Sequence, residues 1–245
     1  MKRVLLLAGS GEARRLAQAL AAEAGVSATA SLAGATRAPQ KLDLPTRVGG
    51  FGGAEAFADY LRGEEIDAVI DATHPFADRI SQRSAQVCAA LNLPYLQVLR
   101  PEWQPGPGDT WTCLADESEA ARHIAPGSVV FLATGTKTLK KFANLRDCTI
   151  WCRRIDAPRN PFPFAGGQYI VSRPPFSVDE EIAHFQELGV DWLVVKNSGG
   201  DPSRSKLDAA RALKIPVAMI RRPPQPDAPR VASVAATMDW LRQLP

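Results

Sequence analysis

Three short stretches group polar side chains and backbone donors closely enough to do chemistry, and each follows an apolar run. The first is DAVIDATHPFA (67–77). Ala68, Val69 and Ile70 are too short a run for a helix, and Pro75 suits the first turn of one, where a missing N–H costs nothing. A buried strand that stops at Ala72, Thr73 and His74 and turns at once into a helix marks the carboxyl edge of a parallel sheet, where open α/β folds bind ligands. There His74 can contact a cofactor, donate a proton, or simply cap the next helix. Asp71, inside the strand, reads as a buried, hydrogen-bonded carboxylate.

The second stretch is Gly9-Ser10-Gly11-Glu12, after the strand RVLLLA (3–8) and at the start of a helix. Glycines at a helix start let a phosphate approach the free N–H groups. The full dinucleotide fingerprint wants glycine at 14, where Arg14 stands, so a plain tight turn is the competing reading. The second strand ends in Ser31-Leu32-Ala33-Gly34-Ala35-Thr36-Arg37, with no acid to take ribose hydroxyls. Ser31, Gly34 and Arg37 instead suit a 2′-phosphate, favouring NADP(H) over NAD(H); as a loop residue Arg37 can equally be a solvated charge. Thr73 joins this candidate cofactor set. So do Thr134 and Gly135, which follow SVVFLA (128–133) and are expected to open another helix over a second anion cradle.

The third stretch is VVKNSGGDPSRSKLDAAR (194–211). A nucleotide-hydrolysing phosphate loop counted from Gly200 needs glycine at 205 and Ser or Thr at 207; Ser205 and Leu207 are found. The backbone donors of Lys196-Asn197-Ser198-Gly199-Gly200, with the ammonium groups of Lys196 and Lys206, still make a carboxylate site. Arg153, Arg154, Arg173, Arg221 and Arg222 lie in or just after expected strands. Glu181-x-x-His184 is half of a di-iron motif without a second copy, and reads as a solvated helix face. A short-chain dehydrogenase needs Tyr-x-x-x-Lys, but Glu64, Leu99 and Arg173 stand four residues after Tyr60, Tyr95 and Tyr169.

The elements that must position these groups alternate along all 245 residues. Strands are expected at 3–8, 26–33, 47–50, 67–73 and 94–100, with helices at 12–24, 54–64 and 75–92, which implies a doubly wound parallel sheet with right-handed crossovers. PEWQPGPGD (101–109) is a plausible hinge. Beyond it the pattern restarts, with strands at 128–133, 149–155, 168–173, 191–196 and 216–221 and helices around 116–124, 178–189, 203–213 and 233–243. The expectation is an α/β chain of two domains, 1–100 and a smaller 101–245, with RRPPQPDAPR (221–230) as a surface connection. Composition is that of a globular protein, 45% hydrophobic and 22% charged. No apolar run approaches the roughly 18 residues of a membrane span. The apolar part of MKRVLLLAGSG is too short for a signal peptide, so a cytoplasmic placement is expected. Cys88, Cys113, Cys148 and Cys152 show no CxxC spacing and no metal site. Net charge is +3, too small to suggest nucleic acid, and the whole excess falls after residue 97.

Taken together, LLLAGSGEARRLA (5–17), SLAGAT (31–36), RVGGFGG (47–53), IDATHPFA (70–77), VLRPEW (98–103), FLATG (131–135) and KNSGGDPSRSKLDAAR (196–211) resemble the precorrin-6A reductase family of cobalamin biosynthesis, over nearly the whole chain. The resemblance implies two Rossmann-like domains with NADPH and a tetrapyrrole in the cleft between them. It also implies hydride transfer to a ring C=C bond of precorrin-6A, giving precorrin-6B, with the proton coming from His74, another acid or water. It assigns the substrate's acetate and propionate arms to Lys196 through Gly200, Lys206 and arginines including Arg153 and Arg221. A relative acting on the cobalt form, and a non-enzymatic NADP-binding module, remain as alternatives. The protein is expected to be a monomer or weak homo-oligomer.

Overall fold

The structure, a computed structural model, describes residues 1–34 and 41–245. The chain divides into two compact units, Met1–Pro101 with Pro223–Pro245, and Glu102–Arg222. In the first unit, β1 (Lys2–Ala8) sets the pattern. Successive side chains leave a strand on opposite faces. Val4 and Leu6 accordingly pack with Leu16 and Leu20 of α1 (Gly11–Ala22), and Leu5 and Leu7 with Phe57 and Leu61 of α2 (Ala54–Gly63). A strand covered on both sides has no polar face, which is why it reads as one apolar run. β2 (Val26–Leu32), β3 (Thr46–Val48), β4 (Ala68–Ala72), α3 (Asp78–Ala90) and β5 (Tyr95–Val98) follow.

The second unit holds β6 (Trp111–Leu114), β7 (Val129–Ala133), β8 (Thr149–Arg154), β9 (Gly167–Val171), α4 (Val178–Leu188), β10 (Trp192–Lys196), α5 (Ser205–Ala212) and β11 (Val217–Ile220). α4 is well delimited: Ser177 and Glu180 form a reciprocal capping box, and Gly189 ends the helix at φ 63°. Short 3₁₀ turns stand at Glu117–Arg122, Leu139–Phe142 and Asp201–Ser203. The chain then returns to the first unit with β12 (Arg230–Val231) and α6 (Val234–Gln243).

Both sheets have six strands and are parallel throughout, in the orders β12-β5-β4-β1-β2-β3 and β6-β11-β10-β7-β8-β9. The two orders correspond position by position, with β7 in the place of β1. In each, the chain winds outward from the central strand and then reverses, so the switch points lie between β1 and β4 and between β7 and β10.

The doubly wound α/β expectation therefore holds in both units, with differences of detail. β6 and β12 were not anticipated, and β12 joins 223–245 to the first sheet, whereas the sequence reading placed all of 101–245 together. A two-residue strand after a proline-rich stretch carries no periodicity to read. Pro75 lies in a turn three residues before α3, not in its first turn. The segments around 116–124 and after Thr134 form 3₁₀ turns, so Thr134 and Gly135 open no α-helix.

Candidate active site

In the first unit the loops after β1 and β4 are held together by one hydroxyl. Ser10 Oγ accepts the Ala13 N–H at 3.2 Å, capping α1, and donates to the Ala72 carbonyl at 2.8 Å. Gly9 faces the loop after β4 closely: a Cβ there would lie 3.4 Å from the His74 nitrogen and 3.5 Å from Thr73 Cα, in van der Waals contact with that backbone. Gly11 opens the helix. The next residue, Glu12, is buried and its carboxylate is answered by Arg100 at 2.5 Å and Arg15 at 3.2 Å. Burial would raise the Glu12 pKa, but a backbone N–H and Arg100 outweigh it and hold the carboxyl below its ordinary range.

Asp71, 1% exposed, accepts the Thr73 N–H at 3.0 Å and the Tyr95 hydroxyl at 2.7 Å, as a buried carboxylate must be partnered. Burial and this carboxylate push the Tyr95 phenol up, and burial pushes the neighbouring Cys88 thiol up to about 12. Thr73 Oγ1 lies 3.2 Å from Ser81 Oγ on α3. His74 Nδ1 accepts the Phe76 N–H at 3.3 Å, so the neutral ring carries its proton on Nε2. The segment expected as a surface connection supports this turn: Gln225 donates to the Pro75 carbonyl at 3.1 Å and accepts from buried Gln97 at 2.9 Å.

At the end of β2, Ser31 is buried, and its hydroxyl accepts from Arg47 Nη1 at 2.7 Å across the β2–β3 pairing. Arg47 also donates to the Gly49 and Gly50 carbonyls at 3.1 Å each, and its guanidinium lies 3.9 Å from the Phe51 ring centroid. Gly34 follows at φ 72°. Arg37, the residue expected here, lies outside the described residues.

In the second unit the donor-rich loop after β10 is braced from several sides. Asn197 and Trp103 clasp each other, Trp103 N–H to Oδ1 at 2.9 Å and Nδ2 to the Trp103 carbonyl at 3.0 Å. Trp103 Nε1 donates to the Gly200 carbonyl at 2.9 Å, and Arg222 donates to the carbonyls of Asn197 and Ser198 at 2.8 and 3.0 Å. Gly199 and Gly200 take φ values of 66° and 80°, which only glycine adopts freely. Lys196 Nζ sits 3.2 Å from both Glu117 Oε1 and Thr138 Oγ1. Lys206 donates to the Ser203 carbonyl and lies over Trp103, 5.6 Å from the ring centroid. Thr134 is buried and leans on the Gly135 carbonyl at 3.3 Å.

Two expected members fall elsewhere. Arg153 makes a bidentate pair with buried Glu181 at 2.6 and 2.7 Å, beneath Phe131 and Phe176, so its charge is already answered. The same pair absorbs the Glu181-x-x-His184 motif, with His184 3.5 Å from the guanidinium. Arg221 is exposed; its neighbour Arg222 is the one turned onto the loop. The sequence reading gave no role to Arg47, Arg100, Trp103 or Glu117. RVGGFGG and VLRPEW contain the first three, and their unbroken run of small, cationic and aromatic types was the available signal. Among the described residues no His, Cys, Asp or Glu group could hold a metal, the cysteines are free, and no helix is long and apolar enough to cross a membrane.

Comparison with known proteins agrees with this arrangement. The family described as precorrin-6x reductase CbiJ/CobK matches residues 3–242. A precorrin-6A reductase of Rhodococcus erythropolis is 44% identical, over 100% of this chain and 99% of that protein. A cobalt-precorrin-6A reductase of Priestia megaterium is 30% identical over 90% of each. A solved structure described as CobK precorrin-6A reductase superposes with a TM-score of 0.93 at 38% identity, covering 99% of this chain and 96% of that one. With both sheets, their switch points and the loops at their carboxyl edges in place, the chain belongs to the precorrin-6x reductase family, CbiJ/CobK, a family of oxidoreductases.

Proposed function

We propose that the protein reduces one ring C=C bond of precorrin-6A with NADPH, giving precorrin-6B. The observation that carries the cofactor assignment is the first unit's switch point. Gly9 leaves room for close approach, Ser10 fixes the turn, and the first turn of α1 offers N–H groups at the positive end of a helix dipole. Glu12, an acid in that turn, is compatible with a pyrophosphate because Arg100 and Arg15 balance it. The end of β2 offers Ser31 and a guanidinium where an NAD site would offer a carboxylate. When bound, NADPH supplies the hydride. Everything else falls to the chain. Asp71 holds the Thr73 N–H and so fixes the turn that presents His74. His74 is assigned the accompanying proton, given up by its imidazolium form, which returns to a neutral ring; charging the ring releases the Phe76 N–H that bonds Nδ1 of the neutral form. The substrate's carboxylate arms are assigned to Ser198, Gly199, Gly200 and Lys206, on a loop that Trp103, Asn197 and Arg222 brace; each charge-assisted hydrogen bond contributes roughly 1.5–3 kcal/mol.

The relatives named for the metal-free substrate are 37–44% identical and those named for the cobalt form 27–30%, which supports precorrin-6A over its cobalt form. The test is anaerobic NADPH oxidation by the purified protein, offered precorrin-6A or the cobalt compound. Oxidation with the metal-free substrate is expected; none with either compound would overturn the reading.

A further inference from the structure

We infer that Arg47, seated on Ser31 and Phe51, is the residue by which this protein selects a phosphate monoester on the ribose 2′ position, and so distinguishes NADPH from NADH. The inference rests on the cofactor reading above and assigns it a specificity residue. Arginine offers five N–H donors in a fixed fork. Here both Nη1 bonds go to neutral oxygens, Ser31 Oγ and the Gly49 carbonyl, and one Nη2 bond goes to the Gly50 carbonyl. Among the described residues, Nε–H and the second Nη2–H have no acceptor, and no carboxylate lies within 4 Å of the guanidinium. Those two donors form the side-on fork that suits a phosphate or carboxylate bidentately.

Two other half-buried arginines carry a fork that is filled. The Arg153 fork is filled by Glu181, and the Arg211 fork by Asp109 at 2.9 and 2.8 Å. Arg153 lies on β8, the second-unit counterpart of β2, whereas Arg47 reaches Ser31 from β3; the charge of Arg153 is neutralised by a carboxylate and that of Arg47 is not. Arg47 is a half-buried cation whose hydrogen bonds go to neutral oxygens and whose remaining donors suit an anion. The backbone is built to hold it there. Gly49 takes φ 123°, barred to other residues, and this turns its carbonyl onto Nη1. Phe51, 8% exposed and packed into the core with Phe57, fixes one guanidinium face. Position completes the case, since the end of the second strand of the first unit is where an open dinucleotide-binding sheet meets the adenosine ribose.

The test measures equilibrium binding of NADPH, NADH, 2′,5′-ADP and 5′-AMP to the wild-type protein and to Arg47→Gln and Arg47→Lys. Wild type is expected to prefer the 2′-phosphorylated member of each pair. Arg47→Gln should cut that preference by roughly 10- to 100-fold with NADH affinity little changed, and Arg47→Lys should keep part of it as a point charge without the fork. The preference should also shrink as pH falls through about 6, where a phosphate monoester loses its second charge. A melting temperature matching wild type checks that the variants fold. If wild type prefers NADPH and Arg47→Gln keeps that preference, the inference is overturned while the cofactor reading stands. If wild type binds neither nicotinamide dinucleotide, the cofactor reading itself falls.

Discussion

The charged residues at the two carboxyl edges sort by what answers them. Lys196 faces Glu117, Arg153 faces Glu181 and Glu12 faces Arg100, so those charges are internal to the protein. For Glu117, burial acts to raise the pKa, but Thr138, its own N–H and Lys196 outweigh it and hold the carboxyl low, as backbone and Arg100 do for Glu12. A carboxyl depressed in the folded state adds stability above its unfolded pKa and loses it as pH falls through the folded one. The stability curve should therefore be flat from neutral pH down to about 5 and fall below about 4. Glu117→Gln should flatten that acid limb in a urea titration series, and an unchanged limb would refute the assignment. His74 is separable in a different way. His74→Asn keeps an acceptor near the Phe76 N–H but no titratable proton, so kcat should drop by roughly 10²-fold with KM for NADPH nearly unchanged. Near-normal turnover would assign the proton to water.

At the scale of elements, the loop after β1 and the start of α1 depend on Ser10, which serves as helix cap and as the tie to β4. Ser10→Ala should lower stability by about 1 kcal/mol, read as a lower urea midpoint with unchanged slope, and weaken NADPH binding as well. Ser10→Thr should restore both, and loss of stability without loss of binding would confine Ser10 to capping. Such elements were legible because their signals are local. β1, β4, β7 and β10 each hold a short apolar run (residues 4–8, 68–70, 129–133 and 192–195) with Gly, Ser, Thr or Asn close behind, and α4 carries Ser177 and Glu180 at capping-box spacing. The pairings that shape the site were not legible, because they join distant residues. Asn197 meets Trp103 across 94 positions and Gln225 meets Pro75 across 150. Nothing near Arg47 in sequence says that its partner is Ser31, since that contact exists only once β3 lies beside β2. Arg153 misled for the same reason: a strand-end arginine looks available until α4 brings Glu181 to it.

At the scale of the molecule, the first unit is assembled from both ends of the chain. β12 pairs with β5, Arg230 opposite Gln97 and Val231 opposite Val98, and α6 lies on the same face as α1. Met238 and Leu241, 4% and 1% exposed, share one cluster with Leu16, Leu20 and Val98. The last 23 residues therefore complete the core beneath the proposed cofactor loop, and through Gln225 they also brace the turn at Pro75. Truncating a buried Met or Leu to Ala costs about 2–5 kcal/mol through lost transfer energy and the cavity left behind. Domain stabilities are about 5–15 kcal/mol, so the double change Met238→Ala with Leu241→Ala should bring the first unit close to its limit. Hydrogen exchange should locate the damage. Protection should fall in α1, β1 and β5, NADPH affinity should fall with it, and β7 and β10 of the second unit should keep theirs. If α1 and β1 kept full protection, α6 would be an appendage rather than a wall of this core.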